Sequence, residues 1–391
     1  MRTRNALLCN GCALLLLLPG CREGVPPFME PPAGPVNEAV RQLTFGHGHD
    51  RDPRWSPDGS TLLYHTDIFG TLPQARGIML SIDPVGGRAT PLFGDVQQRG
   101  QFLLATPAYS PSGDRVAYVD LLSVDTPVLC ASPLATPPPA TPAICSMQPL
   151  LGSAVLRVRR TDETSLHLLD PAVTVSFPGT DPGYRSGQSG PYFQRIFPFH
   201  ELHRTEHAML FRPSWSPDGQ RVVISNGLRL LSWRVGNPSF DTIPNTADGV
   251  SPAWSPDGQW IAFTQLVRGD SASFACSCAR GGGSAGTETH VRTMYAVAAR
   301  RLVLIRPDGS DRIDLGEGED PSWSADGQHI YAIRNHVIAR IPRSGGEAFA
   351  IPNTERGRSP SVSPDGRWLA FSRAKLQTTM DHDIWLVSLA Q

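Results

Sequence analysis

Lysine is almost missing from this chain: of its 35 basic residues only Lys375 is a lysine, and the others are arginines. Arginine binds carboxylates and phosphates better than lysine does. A bias this complete, however, reads as a nucleotide-composition effect and not as a ligand signature. Net charge is also lacking. At −1 the sequence has no basic excess to favour nucleic acid or a general anionic surface as partner. No apolar run reaches the ~20 residues that a membrane-crossing helix needs; the best, Ala6–Leu18, is thirteen residues long. Long helices are disfavoured too, because 37 Gly and 37 Pro demand many turns and short strands. The 40% hydrophobic content still suffices for a packed core.

What is present begins with an address. Arg2 and Arg4 precede the apolar stretch, which ends in Leu18-Pro19-Gly20-Cys21. The length fits a signal-peptide core, and the last four residues resemble a bacterial lipobox. Residues 1–20 are therefore expected to be a lipoprotein signal peptide, with Cys21 as the lipid attachment site. Two acyl chains anchor stably, since each buried methylene contributes ~0.8 kcal/mol. Residues 21–38 read as an extended tether, with five prolines between Arg22 and Pro35. The expected location is the cell envelope, on the periplasmic side of the outer membrane.

Six segments then follow one template. They are Pro53–Gly59 (PRWSPDG), Pro107–Gly113 (PAYSPSG), Pro213–Gly219 (PSWSPDG), Pro252–Gly258 (PAWSPDG), Pro321–Gly327 (PSWSADG) and Pro360–Gly366 (PSVSPDG). Each is followed by a β-rich run such as Arg221-Val-Val-Ile224 or Trp368-Leu-Ala-Phe371. Pro presets φ, Asp bonds its own backbone, and Gly takes the positive φ that closes a hairpin. The residues predicted to make these turns are Asp58, Gly59, Gly113, Asp218, Gly219, Asp257, Gly258, Asp326, Gly327, Asp365 and Gly366. Further strand-like runs complete four antiparallel strands per ~40–45 residues, the period of a propeller blade.

The template resembles the repeat of TolB-type β-propellers, and the resemblance runs from about Ala39 to the C-terminus. It implies an all-β propeller over residues 39–391. The last repeat has only three strands before Gln391, while Val40-Arg-Gln-Leu-Thr-Phe45 is spare. Pairing that segment outside Ile384–Leu389 would complete the last blade and cover its open edge. Six blades with large inserts is the favoured count. A seventh could lie among Ala154–Val158, Leu166–Leu169 and Ala172–Phe177.

Inserts near 122–151 and 268–292 are expected between second and third strands, on the face opposite the Pro-Asp-Gly turns, where long loops on a rigid scaffold serve recognition. They carry the four other cysteines of the expected mature chain, Cys130, Cys145, Cys276 and Cys278. An even number in an exported protein suggests disulfides. Three pairings are open. The local Cys130–Cys145 bridge is preferred, and it leaves a tight Cys276–Cys278 ring as the alternative use of the second pair. Metal binding by Cys276-x-Cys278 is disfavoured because no second pair has matching ligand spacing.

Other candidates are weaker. His200-Glu-Leu-His203 lacks the zinc-protease spacing, and His47-Gly-His49-Asp50 reads as a solvated loop. Gly282-Gly-Ser-Ala-Gly286 lacks the strand–turn–helix setting of a nucleophile elbow. Related propellers occur fused to prolyl-oligopeptidase-type hydrolases, but these 391 residues hold no α/β segment of the required size. Trp55, Trp215, Trp254 and Trp323 share one repeat position and read as inter-blade packing. No residue is assigned a catalytic, cofactor or metal role. The reading is a monomeric, lipid-anchored binding or scaffolding module for an envelope protein, peptide or glycan at the insert-bearing face. The alternative, implied by other propellers of this type, is a lyase-like carbohydrate enzyme with histidines in the channel.

Overall fold

The computed structural model describes residues 39–45, 49–68, 76–92, 103–123, 153–162, 171–175, 212–279, 287–374 and 382–389. Among them every regular element is a strand, and there is no helix long and apolar enough to cross a membrane. The expected signal peptide, Cys21, the tether, His47, Cys130, Cys145, Leu166–Leu169, His200, His203 and Gly282–Gly286 lie outside the described residues.

The strands form six four-stranded antiparallel blades. Blade 1 is β2 (His49–Trp55), β3 (Leu62–Ile68), β4 (Arg76–Ile82) and β5 (Thr90–Pro91). Blade 2 is β6 (Leu103–Tyr109), β7 (Arg115–Ser123), β8 (Ser153–Arg160) and β9 (Ala172–Val175). Blade 3 is β10 (Ser214–Trp215), β11 (Arg221–Ser225), β12 (Leu230–Arg234) and β13 (Asp241–Thr242). Blade 4 is β14 (Gly249–Trp254), β15 (Ile261–Ala279), β16 (Thr287–Ile305) and β17 (Ile313–Glu317). Blade 5 is β18 (Glu319–Trp323), β19 (His329–Arg334), β20 (Val337–Pro342) and β21 (Phe349–Ala350). Blade 6 is β22 (Gly357–Val362), β23 (Trp368–Ala374) and β24 (His382–Ser388), completed by β1 (Val40–Gln42). The segments that suggested a seventh blade, Ala154–Val158 and Ala172–Val175, are the third and fourth strands of blade 2.

Ring closure follows from the spare strand. β1 pairs antiparallel with β24 in the register Val40↔Val387, Arg41↔Leu386, Gln42↔Trp385. Leu43 N–H then donates to the Ile384 carbonyl at 2.7 Å, and Ile384 N–H donates to Thr44 Oγ1 at 2.9 Å. Leu43, 2% exposed, drops into a cluster with Trp55, Leu62, Tyr64, Leu80, Ala370 and Leu386. One segment thereby covers a sheet edge and fills the seam between the last blade and the first.

Packing repeats around the ring. Six apolar clusters occupy the six seams between neighbouring blades. Strands buried on both faces explain the β-branched and aromatic runs after each turn. The repeat tryptophans add a specific link. Trp55 Nε1 donates to the Ser361 carbonyl at 3.0 Å, Trp215 Nε1 to Ala108 at 3.0 Å and Trp323 Nε1 to Ala253 at 2.9 Å. Each reaches the second residue of the preceding blade's motif. Trp254 departs from this: it is partly buried and bonds the Gly258 carbonyl of its own turn at 3.2 Å.

The turns use the serine of the template as well as Pro-Asp-Gly. The N–H of Gly59 donates to the Ser56 carbonyl at 2.9 Å, and Ser56 Oγ donates to Asp58 Oδ1 at 2.6 Å. Asp58 Oδ1 also accepts from the Ser60 N–H at 3.0 Å. Asp218, Asp257, Asp326 and Asp365 make the same pair of contacts. The hydrogen bonds from Ser56 and Ser60 lower the Asp58 carboxyl to about 2. Gly59, Gly113, Gly219, Gly258, Gly327 and Gly366 have φ of 73, 76, 66, 72, 66 and 72°, the left-handed region that glycine enters without steric cost. In blade 2, where Ser112 stands in the aspartate position, Asp114 takes over and accepts from Ser110 Oγ at 2.9 Å.

Candidate functional site

The axis of the ring carries a feature that the template does not include. The residue before each motif proline is Asp52, Thr106, Arg212, Ser251, Asp320 or Ser359. All six are polar and all are buried. In five blades this residue has a left-handed backbone: φ is 52° at Asp52, 53° at Thr106, 50° at Ser251, 58° at Asp320 and 57° at Ser359. A bulge breaks the inner-strand register at the same points. For non-glycine residues such a conformation costs about 1–3 kcal/mol each and persists only where the surroundings hold it. Repeated around an axis, the bulge lines the channel with a polar ring.

Three members of the ring, from alternate blades, form an ion triad. Arg212 of blade 3 donates to Asp52 Oδ1 of blade 1 through Nη2 at 2.6 Å and Nε at 2.9 Å. Its Nη1 lies 3.2 Å from Asp320 Oδ1 of blade 5. Ser251 Oγ donates to the same Asp320 oxygen at 3.0 Å, and Asp320 N–H donates to Thr264 Oγ1 at 3.0 Å. Burial alone would raise the Asp52 carboxyl. The Arg212 charge, helped by Arg54, His65 and the Arg212 hydrogen bonds, outweighs burial and holds it far below the usual carboxylate range. Arg212 is pushed up for the converse reason: Asp320 and Asp52 overcome its burial penalty.

On the turn side of the triad lies a cavity of about 440 Å³. The inner-strand ends and turn residues of all six motifs line it, with Pro57, Pro111, Pro217, Pro256 and Pro364 among them. Nearly every described lining residue is Ser, Pro, Ala or aromatic, and among them the sole charged one is Arg54. The same motif position is Ala108, Ser214, Ala253, Ser322 and Ser361 in the other blades. Burial, followed by repulsion from Arg212, brings the Arg54 guanidinium down to about 10 against the pull of Asp52 and Asp320. It remains a cation at neutral pH, and its side chain donates to the adjacent Pro53 carbonyl at 3.4 Å.

The sequence-derived candidates fall elsewhere. His49 sits at the start of β2, bridged in parallel to His382 of blade 6, and Asp50 is buried beside it. Both belong to the seam, not to a solvated loop. β7 and β15 run away from the turns, so the stretches expected as inserts begin at the end opposite the cavity. Among the residues whose side chains are described, no three His, Cys, Asp or Glu gather as a metal group. Asp52, Arg212 and Asp320 lie one residue before the motif, and Arg54 occupies its variable second position, so the repeat template marks none of them. The available signal was the run of polar residues just before it, in a strand otherwise destined for the interior.

No family model matches the chain, and no curated protein matches it. Some solved structures are similar to it at low identity. TolB from Acinetobacter baumannii is 13% identical, with 89% of this chain and 66% of that one covered, at a TM-score of 0.44. An oligogalacturonate lyase from Vibrio parahaemolyticus is 11% identical, with 90% and 94% covered and a TM-score of 0.45. Prolyl oligopeptidase B from Galerina marginata is 11% identical, with 88% and 49% covered and a TM-score of 0.41. This chain therefore spans about two thirds of that TolB and about half of that peptidase. What its own strands, seams and repeats establish is an all-β, six-bladed β-propeller closed by its N-terminal strand.

Proposed function

We propose that the chain is a non-catalytic envelope binding protein whose axial cavity takes a carboxylate-bearing, extended segment of a partner protein. The observation that carries this is Arg54, the one charge in a cavity of serine, proline and aromatic walls. Such a site suits a narrow polypeptide end: rigid apolar walls for contact and one deep guanidinium to fix orientation. Rigid walls also limit the ordering cost on binding. The floor holds two carboxylates against one guanidinium, and Arg54, within the field of both, is the one charged side chain that the described cavity wall presents to an incoming anion. The reading places recognition at the turn-side mouth, whereas loop length alone favoured the insert-bearing face.

The test uses immobilised peptide libraries with free or amidated C-termini, probed with the purified protein. Free-carboxylate peptides should be retained and amidated ones lost, and Arg54→Gln should weaken retention about tenfold or more, the loss of one charge-assisted contact. Equal retention of both peptide sets, or an unaffected Arg54→Gln variant, overturns the proposal. Retention of uronate oligosaccharides in place of peptides would assign the mouth to glycans.

Export and lipid anchoring through Cys21 belong to the same proposal, supported by the lipobox-like Leu18–Cys21. Labelled fatty acid should enter the parent protein and not Cys21→Ser. Equal labelling of the two removes the anchor.

A further inference from the structure

Beyond blade 4 the chain continues as a two-stranded ribbon. β14 pairs with β15 only as far as Gln265, and β17 pairs with β16 only from Arg301. β15 and β16 nevertheless stay in antiparallel register out to Ala279↔Thr287. The stretch expected as a Gly-rich insert is thus largely strand, and its register is set.

That register brings together what the sequence keeps apart. Cys276 is opposite His290, and Cys278 is opposite Glu288. Directly opposed residues share a face of a ribbon, as do residues two apart on one strand. Cys276, Cys278, Glu288 and His290 are therefore neighbours on one face, about 5 Å apart across the ribbon and about 7 Å along it. Between Ser271 and Tyr295 of the two strands these are all the Cys, His, Asp and Glu residues. Every one falls on that face. The other face carries Ser273, Ala275, Ser277 and Ala279 opposite Thr293, Val291, Thr289 and Thr287. The second ligand pair that Cys-x-Cys lacked in the linear sequence is the facing Glu-x-His.

We propose that this quartet is a zinc site independent of the axial cavity. Two thiols, an imidazole and a carboxylate match the tetrahedral N, S and O preference of Zn²⁺. Binding requires both thiols to lose their protons, so affinity should rise with pH. The competing use of the pair, a Cys276–Cys278 disulfide, is disfavoured by the strand. Residues two apart there are about 6.6 Å apart, at the far end of what a disulfide spans. A metal clip would also pin a ribbon that has no third strand, since isolated hairpins are marginal in water.

The experiment is titration of the full chain with zinc against a chromophoric chelator, repeated with cobalt(II) for its absorption. One equivalent of zinc is expected, with thiolate-to-cobalt charge transfer in the near ultraviolet. The Cys276→Ser/Cys278→Ser double variant should lose that equivalent, and His290→Ala should bind at least about tenfold more weakly. Cys130→Ser/Cys145→Ser should bind as the parent does. Thermal unfolding of the metal-free variants should match the metal-free parent, which separates site loss from misfolding. Unchanged stoichiometry in the Cys276/Cys278 variant overturns the proposal. So does loss in the Cys130/Cys145 variant, or a mass spectrum showing Cys276 and Cys278 oxidised to each other in protein that binds no zinc.

Discussion

Arg212 aims two nitrogens, at 2.6 and 2.9 Å, at one oxygen of Asp52, which enters the channel from a blade 160 residues earlier in the chain. The pair is fully withdrawn from water, with side-chain exposures of 2% and 0%. Charges at such depth are tolerated where they are matched, and here Arg212 and Arg54 face the two carboxylates Asp52 and Asp320; a buried charge without its partner is costly.

Arg212→Met should therefore destabilise the propeller by about 3–5 kcal/mol, since it strands two carboxylates. Urea denaturation would measure it. A companion Asp52→Asn/Arg212→Met/Asp320→Asn variant, which removes every charge of the triad, should recover much of the loss. A single variant as stable as the parent would show that the triad contributes little.

The same pair makes stability depend on pH. Asp52 holds its proton less tightly when folded than in the unfolded chain, where an aspartate titrates near ~3.9. Its contribution is complete above that value and is lost as pH falls below it toward the depressed folded value. Asp52→Asn should be less stable than the parent at pH 7, and the gap should narrow steadily below about pH 4. A gap that stays constant down to pH 2.5 contradicts the assignment.

Closure through β1 predicts a position-specific loss. Leu43 lies in the seam between blades 6 and 1, and Leu43→Ala should cost about 2–5 kcal/mol in denaturant unfolding. Deletion of residues 1–45 should cost more than that substitution, since it also opens the edge of β24. Deletion of residues 1–38 should leave unfolding unchanged.

Two glycines with the same backbone hand separate strain from crowding. Gly366, at φ 72°, has open space where a Cβ would stand, whereas at Gly309, at φ 85°, a Cβ would meet Pro244 at 2.8 Å. Gly366→Ala should cost about 1 kcal/mol, the left-handed penalty alone. Gly309→Ala should cost at least about 1 kcal/mol more, because the facing Pro244 backbone must shift. Thermal unfolding of the two variants side by side decides it.

The propeller was legible in the sequence because its information is local and repeated. Pro-Asp-Gly writes a turn wherever it occurs, and the aromatic before it with the β-branched run after it writes two buried strands. The spare segment at Val40–Phe45 could be matched to the three-stranded last repeat by counting. Departures such as Ser112 were visible, but the compensation by Asp114, two residues on, needed the turn geometry.

The channel and the ribbon were not legible, for a physical reason. Asp52, Arg212 and Asp320 acquire meaning only when closure brings alternate blades to one axis, and their bulged backbone is set by that crowding, not by residue type. The pairing of Cys276 with His290 likewise depends on a strand register carried outward from Ile261↔Ile305 in the blade. Sequence by itself determined the repeating unit and how the ring closes. Only the tertiary structure decided which residues share the axis and which share a ribbon face, because those neighbours are chosen by packing between distant segments and not by the chain's local chemistry.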